Sequence, residues 1–193
     1  MKGLFVVGVL VTLGQMPAVA WADDSFVGWI DYEKLFKDHA SEVLIRHDKD
    51  GDHATITFPD GGFAYRSGPS DKPVYGGSSK NHDASCMFLW VVMISAPVLA
   101  CPQMFAQDQV DDFNKRLDQV ATFMGMTAYP PRSPVEMRAM MTGWVGPVPI
   151  QCDPKNAEWW MKSANDVLSD RNLKYFDVAT IKPGQLSFDE TCH

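Results

Sequence analysis

No apolar stretch in this sequence is long enough to cross a bilayer, which takes about 20 residues as a helix. The two most apolar runs, Leu4 to Leu13 and Met87 to Ala100, cover ten and fourteen residues. Basic side chains are the scarcer sign, 17 Lys and Arg against 24 Asp and Glu. A net acidic surface repels phosphates, so no nucleic-acid partner is expected. Cysteine is sparse too. The four present form no C-x-x-C pair and no tight cluster with histidine, which speaks against a zinc site or a dithiol redox centre.

Catalytic and cofactor frames are equally missing. The sequence contains no G-x-S-x-G, S-x-x-K or H-E-x-x-H, the frames that would place a nucleophile or a zinc ligand pair. Neither phosphate-binding glycine frame occurs, so Gly61-Gly62 and Gly76-Gly77 are assigned to turns and no cofactor is expected.

What the sequence does contain begins with an export address. Lys2 precedes the uncharged run Leu4 to Leu13, and helix-breaking Gly14 and Pro17 come after it. Ala18-Val19-Ala20 and Ala20-Trp21-Ala22 then offer small-x-small cleavage sites. Cleavage is expected after Ala22, which leaves residues 23–193 as one exported domain, periplasmic or secreted, with no stable membrane anchor. An even number of cysteines in an exported chain predicts disulfides among Cys86, Cys101, Cys152 and Cys192. Three pairings are possible. The preferred one joins Cys86 to Cys101, closing a short apolar loop, and Cys152 to Cys192, pinning the C-terminus.

The expected fold is a single α+β domain, an antiparallel sheet packed with three to four helices. After a lead-in over 23–30, Asp31 caps a short helix to Ala40 with Leu35 and Phe36 inward. Glu42 to His47, His53 to Phe58 and Gly62 to Arg66 alternate with period two and predict a three-stranded meander. Residues 67–85 are rich in Gly, Ser and Pro and predict a long surface loop. The charge-free run Met87 to Ala100, interrupted by Pro97, predicts a buried central strand. Asp108 to Met124 has apolar residues at helical spacing, and Ser133-Pro134-Val135-Glu136 is a capping box opening a second helix that Gly143 closes. A third helix starts at Asp153-Pro154 and runs to about Arg171. Lys174 to Ile181 and Leu186 to Thr191, joined at Lys182-Pro-Gly-Gln185, predict a terminal hairpin.

Three constellations invite a functional reading. Asp48-Lys-Asp-Gly-Asp52 resembles the opening of a calcium-binding loop, with carboxylates at alternate positions. The pattern then fails, because His53 stands where glycine is required and Pro59 where a bidentate glutamate is required. An acidic hairpin turn is the simpler reading, and no metal is expected. His47 and His53 flank that turn and are expected to face each other, while His82 lies beside Asp83 in a polar stretch. These histidines are the candidates for a small exported hydrolase. Finally, Met140, Met141 and Trp144 on one helix and Trp159 and Trp160 on the next form a candidate partner surface, since methionine and tryptophan make adaptable contacts. The preferred expectation is therefore an exported, disulfide-stabilised binding protein, such as an inhibitor, an immunity-type protector or an envelope accessory protein, with another protein as partner.

Overall fold

The computed structural model describes residues 28–49, 51–79, 82–144 and 150–188. The architecture is α+β in one domain: a four-stranded antiparallel sheet in the order β1-β2-β3-β4, backed and followed by helices. Helix α1 (Tyr32–Asp38) begins where the Asp31 carboxylate accepts the Lys34 backbone N–H at 2.9 Å, as the sequence predicts. It buries Tyr32, Leu35 and Phe36. Strands β1 (Leu44–Asp48), β2 (Gly51–Thr57) and β3 (Phe63–Ser67) make the expected meander. Ala54, Ile56 and Ala64 supply its buried face.

The expected loop over 67–85 is corrected. Its middle is strand β4 (Val74–Ser78), paired with β3, and its last described residues, from His82, begin a helix. Nor do Gly76 and Gly77 serve a turn. A Cβ on Gly76 would collide with the Tyr65 ring, and one on Gly77 with the Phe188 ring. The two glycines thus seat one aromatic on each face of the strand. Tyr32 stacks on Tyr75 and Phe188 at 5.6 and 6.2 Å, and Phe58 meets Phe188 at 5.7 Å. This aromatic layer joins α1, the sheet and the C-terminal segment.

The expected central strand is also corrected, because Met87 to Ala100 lies within helix α2 (His82–Ala100). Its sequence shows no helical stripe because its half-exposed side is as apolar as its buried one. Phe88, Val91, Val92 and Val98 are buried, while Trp90 and Met93 are exposed. Pro97 sits in the last turn, where it removes the N–H that would have met the Met93 carbonyl, and the helix ends three residues later at Ala100. Helix α3 (Gln107–Met126) matches its predicted amphipathic pattern. Helix α4 (Pro134–Trp144) opens with the predicted capping box, its Ser133 hydroxyl accepting the Glu136 N–H while Glu136 accepts the Ser133 N–H at 2.7 Å. Helices α5 (Ala157–Val167) and α6 (Asp170–Leu173) divide what the sequence suggests is one helix. Helix α2 packs on α5 and α4.

Among the described residues the expected terminal hairpin is absent. Residues Lys174–Phe176 and Val178–Thr180 are single 3-10 turns, the second capped by Asp177, whose carboxylate accepts the Ala179 N–H. Leu186 to Phe188 is instead buried in the core, Ser187 donating its N–H to the Thr127 carbonyl. The Lys182-Pro-Gly-Gln185 turn is present, with Gly184 at φ +72°. The lead-in likewise docks: Trp29 and Ile30 are buried, and Trp29 meets Phe88 edge-on at 5.2 Å.

The expected cysteine pairing is overturned by a Cys101–Cys152 disulfide, which ties the end of α2 to the approach to α5. Closing 51 residues stabilises by about 4 kcal/mol in the chain-entropy picture. Cys86 is also disulfide-bonded. Cys192 and the expected signal peptide, residues 1–22, lie outside the described residues. Among the described residues no helix is long and apolar enough to cross a membrane.

Candidate functional site

Four turns of the chain converge on a cleft of about 610 Å³. The end of α1 contributes His39 and Glu42, and the β2–β3 turn contributes Phe58 and Pro59. The exit of α3 supplies Met126, Ala128, Tyr129 and Pro131, and the C-terminal turn supplies Ile181 to Leu186. The volume lies in the range of small-molecule sites, and most of the lining is apolar. Phe58, Ala128 and Leu186 are buried beneath it, whereas Met126 is half-exposed.

Each polar wall has an identifiable support. Tyr129 is clamped through its backbone, accepting the Asp31 N–H at 2.7 Å and donating its own to Trp29 at 2.8 Å. The Tyr129–Pro130 bond is cis. The Tyr129 hydroxyl donates to the Asp38 carboxylate at 2.6 Å, and Asp38 pairs with Lys34 at 2.8 Å. Burial, reinforced by the bond to Asp38, pushes the Tyr129 phenol up to about 12. The Lys34 hydrogen bond, followed by that of Tyr129, holds Asp38 below the usual carboxylate range. His39 packs edge-on against Phe58 at 5.8 Å and near Tyr129 at 6.0 Å, with Nδ1 3.1 Å from Glu42. Lys182 donates its backbone N–H to Gln185 Oε1 at 2.8 Å, so the Gln185 amide is oriented from inside the turn.

The histidines expected to act together do not. His47 pairs in register with Asp52 and His53 with Arg46, so His47 and His53 project from opposite faces of the hairpin. His47 Nδ1 lies 2.6 Å from Asp52, but the pair is exposed, with 74% of the histidine side chain open to solvent. Asp52 borders a polar cleft of about 720 Å³ with Ser70 and Asp71, and His47 is not among its lining residues. His82 is the first residue of α2, and its side chain lies outside the described residues. Strands rather than helices flank the Asp48–Asp52 stretch, with Asp48 pairing with Gly51, and Asp50 lies outside the described residues. Among the described residues no group of three His, Cys, Asp or Glu could hold a metal ion.

The residues of the candidate partner surface differ in exposure. Met141 is fully buried and belongs to the core, and Met140 packs half-buried against it. Trp159 is 67% exposed and Trp160 half-buried, while the Trp144 side chain lies outside the described residues. The exposed Trp90 and Met93 of α2 were hidden by the reading of their run as a buried strand. His39, Tyr129 and Lys182 carry no sequence motif. The one signal near them is the polar Lys182-Pro-Gly-Gln185 turn, which reads only as a turn. No family model matches this chain, and neither a curated protein nor a solved structure does.

Proposed function

We propose that this chain is an exported, disulfide-stabilised binding protein whose recognition site is the apolar cleft between α1, the β2–β3 turn, the exit of α3 and the C-terminal turn. The observation that carries this reading is the chemistry of the lining: apolar walls with a few polar groups fixed at the rim. Export draws support from the Cys101–Cys152 disulfide. A protein partner, expected from the methionine and tryptophan content, draws support from exposed residues such as Trp159. The cleft therefore carries the proposal.

The competing hydrolase reading has one observation in its favour, since the cleft brings together a histidine, a carboxylate and a hydroxyl in His39, Glu42 and Tyr129. That hydroxyl is a poor nucleophile. It donates to Asp38 and stays protonated to about pH 12, and among the described residues no Ser, Thr or Cys lines the cleft. The test is saturable binding of an environment-sensitive apolar dye to the oxidised protein. Met126→Trp, placed at the half-exposed wall, is expected to abolish dye binding while leaving the melting temperature unchanged. Equal binding by this variant would refute the cleft as the site. Turnover of a simple ester that disappears in His39→Ala would favour the hydrolase instead.

A further inference from the structure

The polar groups of the cleft are unevenly placed, and those of its C-terminal turn point to a ligand class. Glu42 is engaged by His39, the Tyr129 hydroxyl by Asp38, and Gln185 Oε1 by the Lys182 N–H. Glu42 keeps its second oxygen on the α1 side of the cleft, and the groups left over on the C-terminal turn are donors. Lys182 makes no ion pair among the described residues, and the Gln185 amide NH2, three residues away on the same turn, makes no hydrogen bond among them. A cation beside an amide donor matches a carboxylate, whose two oxygens accept from both.

The rest of the lining selects the body attached to that head group. A bound peptide needs main-chain partners along its length. Here Pro59, Pro131 and Pro183 have no N–H to offer. The main-chain groups of Phe58, Tyr129 and Lys182 are already bonded within the fold. An aliphatic tail asks for no such partners and is matched by Phe58, Met126, Ala128 and Leu186.

We propose that the cleft binds an amphiphile with a single carboxylate head and an aliphatic tail, the head on Lys182 and Gln185 and the tail along the apolar walls. This rests on the reading of the cleft as a binding site and names its ligand. The test is calorimetric titration of the oxidised protein with tetradecanoate, tetradecanol and tetradecylamine. Tetradecanoate is expected to bind with 1:1 stoichiometry. Lys182→Ala, at an exposed position, should weaken it about tenfold or more, Lys182→Arg should restore it, and tetradecanol affinity should be the same in all three proteins. Equal affinity for the three head groups, or tetradecanoate binding indifferent to Lys182→Ala, overturns the carboxylate assignment while leaving a binding cleft. Binding of all three probes that is indifferent to Met126→Trp overturns the cleft itself.

Discussion

Two histidine–carboxylate contacts of the molecule share a composition and differ in setting. At the tip of the first hairpin His47 and Asp52 meet at 2.6 Å with both side chains in solvent. At the cleft His39 and Glu42 meet at the longer distance of 3.1 Å, yet the imidazole is only 29% exposed and rests on Phe58 and beside Tyr129. In high dielectric a short ion pair contributes little, since water competes for both partners. Packing immobilises the His39 ring and gives its position consequences. Distance alone would have chosen the wrong histidine.

The largest expected contrast lies in what stands behind each contact. The cleft's C-terminal wall continues into Phe188, which lies directly over Gly77. Gly77→Val should displace that ring and destabilise by about 1–3 kcal/mol, a fall of several degrees in melting temperature. A variant that melts like the wild type would mean that this wall does not rest on the sheet.

Next in size is the tyrosine that closes the cleft. Tyr129→Phe removes its hydrogen bond to Asp38 and should cost about 1 kcal/mol at neutral pH. Its pH dependence has a fixed sign. Because the folded phenol titrates above its ordinary value, its contribution is complete below about pH 10 and is lost as pH rises toward about 12. Asp38 behaves oppositely. Its lowered folded value makes its contribution present above the ordinary carboxylate range and lost as pH falls through that folded value. Melting curves of both proteins between pH 9 and 12 should show the steeper alkaline decline in the wild type, and parallel curves would contradict the hydrogen bond from the hydroxyl to Asp38.

The smallest effects separate the two histidines directly. His39→Ala loses its ring contacts and should melt a few degrees lower, whereas His47→Ala should melt within about 1 °C of the wild type. A reversal of that order would show that the hairpin tip is the better-held site.

Elements whose two faces differ chemically were legible in the sequence. The alternation in Ala54, Ile56 and Ala64, the amphipathic stripe of α3 and the Ser133–Glu136 box all appear where their patterns predict. Elements with uniform faces were not. Helix α2 is apolar all round, so its run fits a buried strand equally well. Strand β4 is unreadable for a related reason, because its glycines make room for Tyr65 and Phe188 rather than carrying any strand preference of their own. The cleft was missed because it is assembled from turns spread from His39 to Leu186, none with a motif.

By itself the sequence determined part of the local framework: the alternation of β1 to β3, the starts of α1, α3 and α4, the Lys182 to Gln185 turn, and that no apolar run reaches the length of a bilayer-crossing helix. Those features depend on interactions between residues close along the chain. Only the tertiary structure decided that Cys101 joins Cys152, that β4 completes the sheet, and that His39, Tyr129 and Lys182 share one cleft. Each depends on burial and approach between residues distant in sequence, and such proximity leaves no periodicity in a single chain to be read.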